Sequence, residues 1–165
     1  MALIGVLLDQ VTKTWAVDRL QGAAPIEAIP GVLSFTFVLN PGAAFGMATG
    51  ATVVISVLAI IITGVVIVMS RKIDDRWWGV GLGLLFAGAL GNLLDRLFRP
   101  PGPLRGHVVD FLRFDFIDFP VFNVADTAIT FAACVIILQA VRGVDLDGSR
   151  QRSDEADEAV EGDDD

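Results

Sequence analysis

Two uncharged segments, each close to the length needed to cross a lipid bilayer, limit what this chain can fold into. Residues 51–69 and 77–94 contain no Asp, Glu, Lys or Arg. A transmembrane helix needs about 20 mostly apolar residues, and both segments approach that length. The whole chain of 165 residues is 53% hydrophobic, which argues against a disordered or fibrous protein. The sequence therefore predicts a small, mainly α-helical integral membrane protein.

Two further apolar segments extend the pattern to four helices. Residues 121–141 are apolar apart from a few polar positions near their start and Gln139, and Arg142-Gly143 ends them. Residues 1–20 are the weakest candidate because charged residues interrupt them at positions 9, 13, 18 and 19. A half-span or the core of a signal peptide are alternatives for this segment, although it lacks a basic start and a small-residue cleavage site. Counting it predicts four transmembrane helices with both termini on one side of the membrane.

Two long connections lie on the side opposite the termini. The first contains the alternating segment Leu33–Val38, which is typical of a short β-strand at the membrane surface. The second contains the turn-rich segment Pro100–Pro103 and, further on, Val108 and Val109 before Asp110. Six basic residues fall on each side of the bundle, so the positive-inside rule gives no orientation.

The net charge of −8 belongs to the end of the chain. Residues 144–165 contain ten acidic residues and two arginines, whereas residues 1–143 contain ten of each sign. We predict a neutral membrane body and a disordered, solvated tail, with a partner-binding tail as the alternative. The neutral body gives no basic surface for nucleic acid, and the single Cys134 excludes a disulfide framework. Nothing in the sequence indicates a metal or organic cofactor.

Ionisable residues inside membrane segments are candidates for function, because burying their charge there is costly. Asp9 and Lys13 are four residues apart, a spacing that allows an ion pair on one helix face. In the third segment we expect Arg96 to bind Asp95 or Asp9 and to tie the helices together. An Arg-paired carboxylate is a poor proton donor because the cation favours its ionised form, so these groups favour a structural role. Small residues in the same segment predict close helix packing, at positions 79, 83, 87 and 91.

A catalytic interpretation rests on carboxylates near one end of the segments. Asn123 and Asp126 have the spacing of a capped helix N-terminus, which explains them without catalysis. Asp110 lies among apolar residues and needs a polar partner. If Asp110 and Asp126 face each other, they share one proton, so that one acts as a base toward water and the other as an acid. Spacing alone does not choose Asp110 over Asp115 or Asp118 as the partner.

Two other functions remain open from the residues alone. A small transporter or channel subunit would use Asp9, Asp95 and Asp126 along a proton or cation path. A non-catalytic helical bundle would use every aspartate as an ion pair or a cap. The chain has one His and one Cys, and it lacks the motifs of serine hydrolases, zinc proteases and P-loop enzymes. The residues alone therefore indicate a four-helix membrane protein with an aspartate-rich outer edge, in which no other catalytic set competes with the aspartates.

Five short segments resemble, in order, the signature blocks of the lipoprotein signal peptidase family, also called signal peptidase II: Asp9–Lys13, Asn40–Gly46, Gly91–Arg96, Val108–Phe111 and Phe122–Asp126. The resemblance covers about residues 4–140. It implies an aspartic endopeptidase of the bacterial cytoplasmic membrane that cleaves prolipoproteins on the amino side of a diacylglyceryl-modified cysteine. It also implies four transmembrane helices, a small extracytoplasmic β-sheet, a loop lid, an outward-facing active site and cytoplasmic termini.

The resemblance also assigns roles by position. It implies Asp110 and Asp126 as the catalytic pair. It implies a set of substrate-binding or dyad-supporting residues, namely Asn40, Gly42, Asn92, Arg96 and Asn123. It implies structural groups around them, namely Asp9, Lys13 and Asp95. On this interpretation residues 1–143 form one membrane peptidase domain, which we expect to act as a monomer on lipid-modified prolipoprotein in contact with membrane lipid, and residues 144–165 form a cytoplasmic tail.

Overall fold

Four helices and three strands make up the part of the chain that the structure describes, a computed structural model covering residues 1–42 and 52–149. The helices are α1 (Ala2–Leu20), α2 (Thr52–Met69), α3 (Arg76–Phe98) and α4 (Val124–Val141), and a 3-10 turn at Ser70–Lys72 follows α2. The strands are β1 (Ile26–Ile29), β2 (Leu33–Asn40) and β3 (Val108–Phe114). The four predicted helices and the small sheet are thus confirmed, with small shifts at the helix ends.

The helices form a bundle around α3. Three of the described helices are long and apolar enough to cross a membrane, namely α2 with the turn that follows it, α3 and α4. α3 is the central helix, because 39% of its apolar 18-residue stretch is buried inside the protein, against 22% for the corresponding stretch of α2 and 17% for that of α4. α1 also packs on α3, and it turns Asp9 and Lys13 into the bundle together with Ala16 and Leu20. The bundle therefore has an apolar outer surface and a charged cluster inside.

Local sequence signals set the helix ends. Asp75 caps α3, because its carboxylate accepts hydrogen bonds from the N–H groups of Trp77 and Trp78, both at 2.8 Å. α4 begins at a capping box formed by Asn123 and Asp126, which confirms the cap predicted from their spacing. α4 ends just before Gly143, whose φ of +63° is a conformation that suits glycine.

β2 is the middle strand of an antiparallel sheet with the order β1-β2-β3. It pairs with β3 so that Val38 lies opposite Asp110 and Asn40 lies opposite Val108. The register shifts between Phe35 and Val38, because β2 has one residue more than β3 in this interval. This register brings the end of β2 beside Asp110.

The sheet packs on α1 through aromatic and aliphatic side chains. The ring of Trp15 contacts the rings of Phe35 and Phe111 edge-on, with centroids 5.2 and 6.3 Å apart. The buried cluster beneath them contains Val109 and Phe111 from β3 and Leu20 from α1. Because the neighbours of Asp110 on both sides are buried in this cluster, the backbone that carries its carboxylate is held in place.

The first six residues of the predicted acidic tail fold back on the connection between α2 and α3. The carbonyl of Leu146 accepts hydrogen bonds from the N–H groups of Asp74 and Asp75, at 3.0 and 3.1 Å. The indole N–H of Trp78 donates to the carbonyl of Val144 at 2.8 Å. Residues 144–149 therefore have defined contacts, and the rest of the predicted tail, residues 150–165, lies outside the described residues.

Candidate active site

Asp110 lies on β3 and is 1% exposed. Both of its carboxylate oxygens accept hydrogen bonds from side-chain amides. Asn123 Nδ2 donates to Oδ1 at 2.6 Å, and Asn40 Nδ2 donates to Oδ2 at 2.9 Å. We expected a polar partner for Asp110 because it lies among apolar residues. Its partners are two side-chain amides, one at the end of β2 and one at the start of α4.

Asp126 lies in the first turn of α4. Its Oδ1 accepts a hydrogen bond from Asn92 Nδ2 of α3 at 2.8 Å, and its Oδ2 accepts one from the backbone N–H of Asn123 at 3.2 Å. The amide of Asn123 donates to Asn92 Oδ1 at 3.2 Å as well as to Asp110. Asn123 thus caps α4 and at the same time donates to both carboxylates, so the capping interpretation is compatible with the dyad hypothesis.

Asp115 and Asp118, the other two candidates for the partner of Asp126, lie elsewhere. Asp115 accepts hydrogen bonds from the hydroxyl of Ser34 and, at 3.0 Å, from Arg113 Nε. Asp118 is exposed in the connection that follows β3. Of the three carboxylates, Asp110 is the one that shares hydrogen-bond partners with Asp126.

An open cavity of about 470 Å³ lies beside the two carboxylates. Asn40, Asp110 and Asp126 form part of its lining, together with Thr127 and Thr130 of α4. Its apolar wall consists of Phe114, Phe119, Pro120, Val121, Phe122 and Phe131. The rings of Phe114, Phe119 and Phe122 contact one another, with centroids 5.0 to 6.0 Å apart. The aromatic wall was not predicted, and the Phe-rich segment 114–122 is the sequence signal for it.

The environment of Asp110 changes its proton affinity. Burial, and after it the negative charge of Asp126, raise the pKa of Asp110 to about 7. The hydrogen bonds from Asn40 and Asn123 and the positive charge of Lys13 act in the opposite direction. Near neutral pH, Asp110 is therefore able to hold a proton while it lies close to a second carboxylate.

The predicted clamp between Arg96 and Asp95 or Asp9 is wrong. Asp95 binds Arg99 Nε at 2.7 Å and Lys13 Nζ at 3.1 Å. Arg96, which is 7% exposed, donates from one terminal nitrogen to the carbonyl of Asn92 at 3.2 Å. Its Nε has no hydrogen-bond partner within the described residues. Consecutive helix residues point about 100° apart, whereas residues four apart share a face, so Arg99 is the arginine that reaches Asp95.

The predicted ion pair between Asp9 and Lys13 is present. Lys13 Nζ lies 2.9 Å from Asp9 Oδ2, and both side chains are buried. Gly91 of α3 makes room for this pair, because a Cβ at that position would lie 2.6 Å from the Asp9 carboxylate. This close approach of α1 to α3 explains one member of the predicted small-residue repeat.

Gly42 orients the amide of Asn40. The N–H of Gly42 donates to Asn40 Oδ1 at 2.9 Å, which leaves the Nδ2 of Asn40 to face Asp110. Gly42 has a φ of +116°, and a Cβ there would lie 3.1 Å from the Cα of Thr52. The remainder of this predicted signature block, residues 43–46, lies outside the described residues.

Comparisons with known proteins agree with this architecture. The family profile described as Signal peptidase (SPase) II matches residues 1–142. A lipoprotein signal peptidase of Mycobacterium avium (strain 104) is 46% identical over 154 residues, which cover 90% of this chain and 82% of that protein. One of Mycobacterium tuberculosis (strain ATCC 25618 / H37Rv) is 45% identical over 150 residues, which cover 89% of this chain and 72% of that protein.

Solved structures give the same result for the fold. One bacterial membrane enzyme superposes with a TM-score of 0.74 at 32% identity, covering 92% of this chain and 89% of that one. A second superposes with a TM-score of 0.74 at 35% identity, covering 86% and 90%. Fold, site and relatives define an integral membrane protease of the aspartic type. The chain belongs to the signal peptidase II family.

Proposed function

We propose that this protein removes signal peptides from diacylglyceryl-modified prolipoproteins, on the amino side of the lipidated cysteine, with Asp110 and Asp126 as the catalytic pair. One observation carries the assignment of the pair. The amide of Asn123 donates to Asp110 at 2.6 Å and the backbone N–H of the same residue donates to Asp126 at 3.2 Å, beside an open cavity. Membership in the signal peptidase II family supports the reaction and the substrate class.

The charges around the pair support a shared proton. Burial and the nearby charge of Asp126 raise the pKa of Asp110 to about 7, so a second negative charge beside Asp126 is disfavoured. Because uncompensated buried charge is costly, the singly protonated dyad is the favoured state.

The reaction follows from this state. Asp126 accepts a proton from a water molecule in the cavity as the water oxygen attacks the scissile carbonyl, and Asp110 donates its proton toward the carbonyl oxygen. As the tetrahedral intermediate collapses, one of its hydroxyl groups returns a proton to Asp110, the C–N bond breaks, and the departing amine takes the proton held by Asp126. The number of protons is conserved, and no covalent enzyme intermediate is required.

The supporting residues hold the two carboxylates in the geometry for this chemistry. Asn40 and Asn123 bind Asp110, and Asn92 binds Asp126. Arg96 supplies positive charge near both carboxylates, and we propose that it helps to position the substrate backbone. The Asp9, Lys13 and Asp95 group lies behind them as a supporting cluster.

The substrate reaches the site from the membrane. We propose that the acyl chains stay in the bilayer while the scissile bond reaches the dyad, since each buried CH₂ group favours the membrane by about 0.8 kcal/mol. The sheet and the dyad lie at the end of α3 opposite to Asp75 and residues 144–149. The site and residues 144–149 therefore lie at opposite ends of the bundle. From the family resemblance we propose that the site faces the outside of the bacterial cytoplasmic membrane, that the termini are cytoplasmic and that the protein acts as a monomer.

Cleavage should depend on the lipid. The purified protein is expected to cleave a diacylglyceryl-modified precursor at least about 100-fold faster than the same precursor without the lipid, because lipid binding aligns the scissile bond. The products are separated by gel electrophoresis and identified by mass spectrometry, which also locates the cleaved bond. Equal cleavage of both precursors, or cleavage at another bond, would contradict the proposed substrate class.

The rate should also fall in alkaline solution. Asp110 loses its proton as the pH rises through about 7, so the acid component of the dyad disappears above that pH. We expect kcat to decrease about tenfold per pH unit on this side. The groups that face Asp110 are Asp126, Lys13 and Arg96. The measurement is kcat for the lipidated precursor between about pH 5 and about pH 9, and a rate that increases from pH 7 upward would refute the role given to Asp110.

A further inference from the structure

Lys13 is a fully buried ammonium group with three partners. Its Nζ lies 2.9 Å from Asp9 Oδ2, 3.1 Å from Asp95 Oδ2 and 2.9 Å from Asn92 Oδ1. An ammonium group has three N–H donors, so these three acceptors match its capacity. The side chain is 0% exposed and lies between α1, α3 and the start of α4.

Each carboxylate that binds Lys13 also holds the backbone next to one member of the dyad. Asp9 Oδ1 accepts a hydrogen bond from the N–H of Ala125 at 3.0 Å, and Ala125 immediately precedes Asp126. Asp95 Oδ2 accepts one from the N–H of Val109 at 3.1 Å, and Val109 immediately precedes Asp110. The two catalytic segments, one on β3 and one on α4, are therefore joined through a single cation.

The third partner of Lys13 sets the orientation of an amide. Asn92 Oδ1 accepts hydrogen bonds from Lys13 Nζ and from Asn123 Nδ2. The amide is thereby fixed with its Nδ2 toward Asp126, to which it donates at 2.8 Å. A reversed Asn92 would direct its N–H groups at the ammonium and would face Asp126 with its carbonyl oxygen, and both contacts would be unfavourable.

We infer that Lys13 is the positioning residue of the dyad: it fixes the separation of Asp110 and Asp126 through Asp9 and Asp95, and it fixes the amide of Asn92. This inference rests on the proposed function of the dyad. A buried ion pair by itself adds little net stability, because desolvation offsets much of the attraction. Lys13 contacts Asn92 directly and reaches Ala125 and Val109 through Asp9 and Asp95, which gives the cation a geometric role that stability does not require.

Lys13→Met removes the cation and keeps the length of the side chain. We expect kcat for the lipidated precursor to fall about 100-fold while KM stays within about threefold, because the substrate still binds but the dyad is displaced. Arg99→Met is the matched control. Arg99 also binds Asp95, at 2.7 Å, but it is 24% exposed and contacts the other oxygen of that carboxylate. We expect this control to keep kcat within about twofold even if it lowers the melting temperature.

A second variant distinguishes the loss of positioning from a folding defect. Asp9→Asn/Lys13→Met/Asp95→Asn removes the ammonium together with both of its counter-charges, and the amides introduced at positions 9 and 95 can still accept from Ala125 and Val109. We expect it to fold and to keep a kcat at least about tenfold below that of the wild type. Near wild-type kcat in either variant would overturn the inference, and so would an equal loss in Arg99→Met. Failure of both variants to fold would make the cluster a requirement of folding alone, which also overturns it.

The same experiment separates this inference from the proposed function. Wild-type protein and Arg99→Met are assayed in parallel with the lipidated precursor. If neither cleaves it, the proposed function is wrong. If both cleave it and Lys13→Met does so equally well, the function stands and the positioning role of Lys13 is wrong.

Discussion

Asp110→Asn and Asp126→Asn are each expected to abolish measurable cleavage of a lipidated precursor. General acid and base catalysis contributes about 10² to 10⁴ in rate, and either substitution removes one of the two partners. The amide cannot accept a proton from water in place of Asp126, and it cannot supply an acidic proton in place of Asp110. The measurement is single-turnover cleavage by purified protein, with the loss expressed in the observed rate constant.

Asp110→Asn also has a predictable structural cost. Both oxygens of Asp110 accept from NH₂ groups, so an amide at this position turns one acceptor into a donor that faces a donor. Asn40 and Asn123 cannot rotate freely to relieve this, because Gly42 and the N–H of Asp126 hold their carbonyl oxygens. We expect a decrease of about 1–3 kcal/mol in the free energy of unfolding. Thermal unfolding of each variant must therefore be measured beside its activity.

Asp118→Asn is the matched control for this experiment. Asp118 is an exposed carboxylate in the connection between β3 and α4, and spacing along the chain does not separate it from Asp110. We expect its rate to stay within about twofold of the wild type. The dyad assignment is wrong if a folded, membrane-inserted Asp110→Asn or Asp126→Asn protein cleaves as fast as this control.

The parts of the site that were predictable from the sequence depend on short-range rules. Segments without charge gave the positions of α2 and α3, because the bilayer length fixes how many apolar residues a helix needs. The spacing of Asn123 and Asp126 gave the cap of α4, because a capping box involves residues three apart. The spacing of Asp9 and Lys13 gave their ion pair, since residues four apart share a helix face.

The parts that were not predictable depend on contacts between distant segments. Spacing alone did not separate Asp110 from Asp115 and Asp118, and only the family resemblance chose Asp110, because the choice is made by the register of β2 on β3 and by the shift within it. The pairing of Arg96 with Asp95 was wrong because adjacency along the chain is not adjacency on a helix. The i, i+4 spacing of Asp95 and Arg99 is the signal that identifies the correct partner.

Gly88→Ala is expected to displace Asp126, although Gly88 is not itself part of the dyad. A Cβ at Gly88 of α3 would lie 2.4 Å from the carbonyl oxygen of Ala125 and 2.5 Å from Cγ1 of Ile129, both on α4. No rotation of the alanine side chain relieves contact with a backbone atom, so α4 must move away from α3. Asp126 follows Ala125 directly, and its bond to Asn92, one turn beyond Gly88, is 2.8 Å long. The displacement therefore stretches a contact that holds the proposed catalytic base.

Two measurements and one control test this expectation. Overpacking should lower the free energy of unfolding of Gly88→Ala by about 1–3 kcal/mol, and displacement of the base should lower kcat by up to about 100-fold. Gly83→Ala lies on the same helix, and a Cβ there meets nothing within 4 Å. Since alanine favours a helix over glycine by about 1 kcal/mol, this control should be equally or more stable and should keep its rate. Equal rates for the two variants would mean that the approach of α4 to Gly88 does not set the position of Asp126.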